Sequence, residues 1–262
     1  MKIDLNKFKK DGYLKIGNIL DNDEIKILKE VILNKINNKN NSKNFRFSKN
    51  LLFEDKIFFN LLVNSKILST IKYLCNNKKN FFLPHTDVHI NLHAGKIHRD
   101  NSDNCRNFNV GSDWDETKDN YNVFRIAVYL TSYESSKTSL VIFPGTHRKE
   151  NFYENLWFRF FNKTVDFLRS ISPNFQIHQY SPFIKKKLIK VDAGDCIIFD
   201  KRVRHAGGVI SNNSDKISIF FSYGEADNIH TFNDLNNLKS NKYRTDYPKD
   251  LQSLFKINNI KF

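Results

Sequence analysis

The pattern that most constrains the fold is a succession of short apolar segments that begins at residue 80. They read FFLPHTDVHINLH, NVFRIAVYLTS, SLVIFPGTH, LIKVDAGDCIIFD and KISIFFSYG, and turn residues separate them. Each is rich in Val, Ile, Phe and Tyr and has the length of a β-strand. Because they lack intervening helical crossovers, they favour an antiparallel sandwich or barrel over a doubly wound parallel sheet.

The chain before residue 80 has a mostly helical pattern. The segment DNDEIKILKEVILNKI begins with capping oxygens at Asp21 and Asp23, and its apolar residues recur on one helical face. A second helix is predicted over about 56–75. No repeat and no linker rich in Pro or Gly divides the sequence, so we expect a single domain over 1–262. Its parts are a mostly helical segment (1–79), a β core (80–224) with an aromatic insert at about 150–180, and a basic tail (225–262).

The chain is strongly basic, with 42 Lys and Arg against 28 Asp and Glu and a net charge of +14. Such a charge attracts anions, among them nucleic acids, acidic lipid surfaces and phosphorylated or CoA-linked metabolites. The abundance of Lys, Asn and Ile also fits drift in an AT-rich genome. We expect no nucleic-acid partner, because the sequence contains no RNP-type aromatic motif, GxxG clamp or zinc-finger spacing.

Cysteine usage and hydropathy favour a cytoplasmic location. Cys75, Cys105 and Cys196 are widely spaced and form no CxxC pair, so neither a disulfide framework nor a zinc knuckle is indicated. No apolar run reaches the ~18 residues of a membrane-spanning helix. The opening MKIDLNKFKKDGYLKIG does not have the apolar stretch of a secretory signal.

Three residues have the composition of a metal site. His98 and Asp100, in KIHRD, stand at i and i+2, so on a strand their side chains point to the same face. His205, in FDKRVRHAGG, can supply a third ligand if its strand lies alongside. Two imidazoles and one carboxylate hold non-heme Fe(II) in oxygenases and leave positions open for a bidentate cosubstrate and O2. The tripeptide alone also arises by chance, in which case His98 is an ordinary surface histidine.

The surroundings of these residues carry a family resemblance. The chain opens with FKKDGYLKIGNIL, and SLVIFPGTHRK, VDAGDCIIFDKRVRHAGG and KISIFFSYG follow the HxD motif in order. With these segments the chain resembles the phytanoyl-CoA dioxygenase family of Fe(II)/2-oxoglutarate oxygenases, up to about residue 224. The resemblance implies a double-stranded β-helix core (a jelly roll, as in cupins) with N-terminal helices packed on it. It also implies Fe(II), 2-oxoglutarate and O2, with His98, Asp100 and His205 as the iron ligands.

The family also implies which residues contact 2-oxoglutarate. A basic residue, usually Arg, follows the distal His on the next strand and pairs with the far carboxylate; here that position is Lys216, eleven residues past His205. Lysine provides the charge without the bidentate fork of arginine. Arg202 and Arg204 are rival candidates.

Further contacts to the cosubstrate are implied by position. Asn91, Tyr129 and Thr131 match places where relatives contact 2-oxoglutarate, although Tyr129 also fits ordinary strand packing. Relatives often carry a serine two residues after the distal His, and Gly207 stands there in this chain. The hydroxyl contact of those relatives is therefore missing.

Two residues are candidates for substrate contact. Arg125 lies in the otherwise apolar strand FRIAVYL, and a buried arginine needs an anionic partner, either a substrate anion or an internal aspartate. Trp157 belongs to the basic, aromatic insert, which can cover a hydrophobic substrate, contact an anionic membrane or pack against the barrel. His147, in PGTH, is interpreted as part of a structural turn.

These observations predict a 2-oxoglutarate-dependent dioxygenase that hydroxylates an aliphatic C–H bond of a small anionic metabolite and releases succinate and CO2. Asp100 supplies a carboxylate where a halogenase leaves room for halide, so hydroxylation is expected over halogenation. Two alternatives stay open. One is a cupin-like metalloprotein that does not use 2-oxoglutarate, and the other is a non-catalytic binding protein that associates with anionic membranes.

Overall fold

The computed structural model describes residues 3–37, 46–91, 97–102, 110–137, 139–149, 152–172, 186–207 and 216–262. The strands are β1 (Tyr13–Ile16), β2 (Arg46–Lys49), β3 (Asn80–Ile90), β4 (Val123–Tyr129), β5 (Leu140–Ile142), β6 (Lys187–Ile189), β7 (Cys196–Asp200), β8 (His205–Gly207) and β9 (Ile217–Glu225). The α-helices are α1 (Leu5–Asp11), α2 (Asn22–Asn37), α3 (Phe59–Leu62), α4 (Ser65–Leu74), α5 (Tyr133–Ser136), α6 (Phe152–Ile171), α7 (Ile229–Ser240) and α8 (Lys249–Ile257). Short 3-10 turns lie at Leu51–Phe53, Lys56–Phe58 and Ser112–Trp114.

The strands form two antiparallel sheets. The larger has the order β1-β7-β4-β9-β3-β2 and the smaller the order β6-β5-β8. Every residue of β4 and of β9 is buried, because helices cover one face of the larger sheet and the interior of the barrel lies on the other. The predicted jelly-roll core with flanking helices is confirmed.

The alternation of side chains along the strands decides which residues can reach the interior. On β4, Phe124, Ile126 and Val128 pack in the helix-side core, so Arg125 and Tyr129 point into the barrel. The helix-side core joins the predicted apolar stripe of α2 to the sheet and is the largest core cluster of the described residues. The side chains therefore alternate between the two faces of the sheet with a period of two, as the sequence pattern predicts.

The helix predicted over about 56–75 is divided. Asn64 accepts hydrogen bonds from the backbone N–H groups of Lys66 and Ile67, at 3.1 and 3.3 Å, and so begins α4 as a separate helix. α3 and a 3-10 turn precede it. Cys75, directly after α4, is a buried free thiol, as is Cys196, while Cys105 lies outside the described residues.

Two segments that stand far apart in the sequence, the opening FKKDGYL and the PGTH turn, are in contact. His147 Nε2 lies 3.1 Å from the carbonyl oxygen of Lys9, and the Gly145 N–H donates to the Asp11 carbonyl at 3.1 Å. Gly12 has a positive φ of 80°, and a Cβ there would lie 2.5 Å from the ring of His147. His147 is therefore structural, as predicted.

The aromatic insert forms α6, which packs against the smaller sheet. Its buried residues Phe158, Phe161 and Val165 contact Phe143 and Ala206. The part of the predicted insert beyond residue 172 lies outside the described residues. None of the described helices combines the length and the apolar character that crossing a lipid bilayer requires.

The C-terminal region corrects the prediction of a basic tail over 225–262. It contains α7 and α8, and Leu251 and Phe255 of α8 are fully buried in the helix-side core. These two residues are one helical turn apart, so they form a narrow apolar face inside a polar sequence. The Lys261 N–H then donates to the carbonyl of Asn80, which fixes the end of the chain beside β3.

Candidate metal centre

The structure brings together the three predicted metal ligands. One ligand atom from each of His98, Asp100 and His205 lies within 4.8 Å of the others. His98 Nε2 is 3.4 Å from Asp100 Oδ1, and His205 Nε2 is 3.6 Å from Asp100 Oδ2. The two histidines come close because His98 and His205 pair as antiparallel strand residues, through two backbone hydrogen bonds of 3.0 and 2.9 Å.

Further hydrogen bonds hold the segment around Asp100 in place. The Asp100 N–H donates to the Lys201 carbonyl at 2.8 Å. Arg99, between the two ligands, points away from them, because its Nε donates to the Arg202 carbonyl at 2.7 Å. Asp113, in the 3-10 turn Ser112–Trp114, accepts from Asn101 Nδ2 at 2.7 Å. His98 and Asp100 therefore share one face, as their spacing predicts.

The protonation states suit a cation. His205 Nδ1 is 3.0 Å from the Val203 carbonyl, and a hydrogen bond donated there leaves the Nε2 lone pair free for a metal. Burial, and then the neighbouring His98, lower the pKa of His205 to about 4, which favours the neutral imidazole. Burial alone would raise the pKa of Asp100, but His205, His98 and Arg125 hold it well below its ordinary value.

The three ligands lie at a cavity of about 300 Å³. Its lining consists of Phe47, His85, Asp87, His89, His98, Asp100, Arg125, Tyr129, Leu140, His205, Gly207, Lys216, Phe220 and Tyr243. Three larger clefts, of about 530, 490 and 470 Å³, have linings that share no residue with the ligand triad. The small cavity is therefore the candidate site.

Lys216 provides a buried positive charge in this cavity. Its residue is 6% exposed, and burial lowers the pKa of its ammonium group to about 8. No carboxylate in the described part of the chain forms an ion pair with it. A buried ammonium without a counter-ion is costly, so the site favours an anionic ligand.

The two rival candidates for the contact with 2-oxoglutarate, Arg202 and Arg204, have other partners. Arg202 pairs with Asp200 and Glu116 and stacks over the ring of Tyr121 at 4.1 Å. Arg204 lies over the ring of Phe158 at 4.2 Å. Neither is part of the cavity lining.

Of the other predicted cosubstrate contacts, only Tyr129 lines the cavity. Asn91 acts on Lys216 instead: its Oδ1 accepts from the Lys216 N–H at 2.7 Å, and its own N–H donates to the Lys216 carbonyl at 3.0 Å. Thr131 Oγ1 accepts from the Ile217 N–H at 3.1 Å. Asn91 and Thr131 thus position the beginning of β9.

The two predicted substrate contacts differ in position. Arg125 lines the cavity, but its Nη2 is paired with Asp87, which is the internal-aspartate alternative. Trp157 is stacked on Phe161, with ring centroids 5.1 Å apart, and is not among the cavity residues. Its ring takes part in the packing of α6, and its contact with substrate stays a prediction.

Sequence reasoning missed several residues of the cavity. His85, Asp87 and His89 follow one another at every second position of β3, which is the spacing of one strand face. This polar alternation inside an apolar strand was the available signal. Tyr243 reaches the cavity from the chain between α7 and α8, and no local pattern marked it.

Comparison with known proteins establishes the fold. The chain matches no protein-family model, and no curated protein matches it in sequence. It is similar to HygX from Streptomyces hygroscopicus, solved with nickel and 2-oxoglutarate bound (16% identity, TM-score 0.63, 85% of this chain and 86% of that chain). It is also similar to SnoN, a non-heme alpha-ketoglutarate-dependent epimerase from nogalamycin biosynthesis (14%, TM-score 0.58, 85% and 79%).

A third similar structure is EctD from S. alaskensis, with 2-oxoglutarate and 5-hydroxyectoine (13% identity, TM-score 0.56, 86% of this chain and 76% of that chain). At these identities the likeness concerns the fold. The chain therefore has the jelly-roll fold found in non-heme enzymes that depend on 2-oxoglutarate.

Proposed function

We propose that the protein is an Fe(II)- and 2-oxoglutarate-dependent dioxygenase. The proposed reaction is hydroxylation of an aliphatic C–H bond in a small molecule, with release of succinate and CO2. The observation that carries this proposal is the convergence of His98, Asp100 and His205 in one cavity with Lys216, which has no carboxylate partner among the described residues. The similar solved structures with iron or nickel and 2-oxoglutarate support it, and so does the resemblance to the phytanoyl-CoA dioxygenase family.

The donor set fits ferrous iron. Two imidazole nitrogens and one carboxylate oxygen on one side of an ion form the facial triad of non-heme Fe(II) oxygenases. Asp100 is ionised and His205 neutral near neutral pH, as metal ligands must be. His98, Asp100 and His205 would therefore hold the ion.

Other residues of the chain prepare the cavity for its anionic cosubstrate. Lys216 offers its ammonium group to the far carboxylate of 2-oxoglutarate, and Asn91 fixes the Lys216 backbone. Tyr129, Leu140 and Phe220 line the same cavity and reduce its contact with water. When bound, iron and 2-oxoglutarate together supply the oxidising power to insert oxygen from O2 into a C–H bond.

Product analysis under air tests this function. The iron-loaded protein is incubated with 2-oxoglutarate, and succinate is quantified by mass spectrometry with and without a metabolite extract. We expect slow succinate formation alone, faster formation with extract, and neither in His205→Ala. His147→Gln, which replaces a histidine outside the cavity, serves as the control and should form succinate normally.

The other outcomes separate the alternatives. Metal-dependent O2 uptake without succinate would indicate a cupin-like enzyme that does not use 2-oxoglutarate. No turnover after iron loading, together with binding to anionic vesicles, would indicate a binding protein. A product of unchanged mass would indicate epimerisation rather than hydroxylation.

A further inference from the structure

Helix α6 exposes a long apolar face to solvent. Six of the fifteen large apolar side chains that are exposed in the described part of the chain lie on this one helix. They are Phe152, Tyr153, Leu156, Phe160, Phe167 and Ile171, and between 50 and 79% of each is exposed. An aromatic side chain has about 150–250 Å² of surface, so the four aromatic ones alone expose on the order of 500 Å². An apolar patch of this size is often a binding surface.

The exposed face of α6 is distinct from the face that packs on the protein. Leu156, Phe160 and Phe167 recur at intervals of four and seven residues, so they share one side of the helix. Phe158 and Val165 lie on the other side, buried in the cluster on the smaller sheet. Packing against the sheet therefore explains the inner apolar face but not the outer one.

The helix is anchored to the segments that carry two of the predicted metal ligands. Asn162 Nδ2 donates to the carbonyl of Ile97, the residue before His98, at 2.9 Å. Ala206, the residue after His205, lies in the same core cluster as the buried face of α6. The exposed face is thus formed and held in place without a partner. Docking through it does not require the ordering entropy that a disordered segment loses on binding.

The charges around this face favour an anionic surface as the partner. Arg159 and Lys163 are exposed, one helical turn apart, and stand among the apolar residues of the face. Long basic side chains can lay their stems along an apolar surface and extend the charged ends to lipid head groups. Three basic residues of α6 stand against two acidic ones, and the whole chain has a net charge of +14. The same net charge opposes the approach of a second copy.

We infer that α6 docks the protein on an anionic lipid surface. Its axis lies in the plane of the membrane, and its aromatic face enters the head-group region. A helix of 20 residues offers a contact about 30 Å long. Aromatic and aliphatic side chains on one side, with Lys or Arg beside them, are typical of helices that bind in this way. The inference goes beyond the proposed function, because it assigns a surface of attachment and not a step of the reaction.

Co-sedimentation with lipid vesicles tests the inference. The vesicles consist either of phosphatidylcholine alone or of equal amounts of phosphatidylcholine and phosphatidylglycerol. We expect binding to the anionic vesicles and little binding to the neutral ones. Phe160→Ser combined with Phe167→Ser should weaken binding at least about tenfold, because each substitution removes an apolar side chain that enters the lipid. The matched control is Ile257→Ser, which removes a side chain of α8 that is 79% exposed and should leave binding unchanged.

Charge variants test the choice of an anionic surface. Arg159→Gln combined with Lys163→Gln should lower the affinity for the anionic vesicles about 30-fold, at roughly fivefold for each charge near the surface. Lys249→Gln combined with Lys256→Gln removes the same charge from exposed positions on α8. This control should have a much smaller effect, since charges more than a Debye length from the membrane are screened. All substituted side chains are exposed, so each variant should keep the circular dichroism spectrum of the unmodified protein.

Several results would overturn the inference. They are no binding to anionic vesicles, equal binding to neutral vesicles, and a loss in the α8 variants as large as in the α6 variants. Light scattering supplies another: a dimer that Phe160→Ser combined with Phe167→Ser converts to a monomer would assign the face to a second copy of the chain. Iron and 2-oxoglutarate do not enter these measurements, so failure of the inference leaves the proposed function unaffected.

Discussion

Arg125 Nε lies 3.4 Å from Asp100 Oδ2, so a buried guanidinium connects a predicted metal ligand on one side of the cavity with Asp87 on β3. Arg125 is paired with Asp87 and also lies near Asp100, whose charge His205 and His98 stabilise as well. The Asp100 carboxylate can then stay ionised while it is buried. Arg125 also donates to Ser222 Oγ on β9 at 3.2 Å, which fixes the plane of the guanidinium.

Arg125→Met should therefore destabilise the protein strongly. The substitution keeps an unbranched side chain but leaves Asp87 without its ion-pair partner and removes one of the neighbours that stabilise the charge of Asp100. Removal of one partner of a buried ion pair costs about 3–5 kcal/mol. Urea denaturation measures the loss, and the double variant with Asp87→Asn should recover part of it. A loss below about 1 kcal/mol would show that the pair is not buried as described.

Lys216→Ala should weaken 2-oxoglutarate binding more than iron binding. The ammonium group has no carboxylate partner in the described residues, so its charge is available to the cosubstrate. One charge-assisted contact of about 1.5–3 kcal/mol corresponds to roughly a 10- to 150-fold loss of affinity. Isothermal titration of the metal-loaded protein measures both constants. Unchanged 2-oxoglutarate affinity would remove Lys216 from the site.

The affinity for 2-oxoglutarate should fall as pH rises. Burial lowers the pKa of free Lys216 to about 8 from 10.5, so below about pH 8 the residue is charged and binds an anion. Above that pH the free protein loses the proton, and affinity falls by up to about tenfold per pH unit until the pKa of the complex is reached. Lys216→Arg, charged at all these pH values, should show a flat profile. An equally steep profile in both proteins would assign the effect to another group.

A second buried ion pair lies beside the segment that carries Asp100. Lys201 Nζ is 2.7 Å from Asp234 Oδ2, both side chains are at most 2% exposed, and the Lys201 carbonyl accepts from the Asp100 N–H. Asp234→Ala should cost about 3–5 kcal/mol of stability in urea denaturation. The matched control is Asp227→Asn, which removes the charge of an exposed pair with Lys261, suits the positive φ of 65° at that position, and should leave the midpoint nearly unchanged. Equal effects of the two substitutions would contradict the burial of the first pair.

The approach of His98 to Asp100 and the jelly roll could be predicted because both follow from local rules. A period of two places His98 and Asp100 on one face, and the apolar strand segments define the sheets. Lys216 followed from the spacing after His205 in the family that the chain resembles. Each of these predictions needed only residues close together in the sequence or a fixed order of motifs.

The part of the cavity wall that β3 and Tyr243 form could not be predicted in the same way. Its geometry depends on a bulge at His85 and on Tyr243, which comes from a different part of the chain. No local pattern distinguishes Asp87, the partner of Arg125, from the other aspartates of the chain. The helices of the C-terminal region were missed since few apolar residues, such as Leu251 and Phe255, mark their buried face.

Anaerobic titration with Fe(II) and then 2-oxoglutarate tests the central claim most directly. If His98, Asp100 and His205 hold one ferrous ion with positions left for a bidentate ligand, a weak visible charge-transfer band should appear on addition of 2-oxoglutarate. The band should be absent in His98→Ala and His205→Ala and present in His147→Gln. A band that survives in both ligand variants, or that never forms in the unmodified protein, would contradict the account.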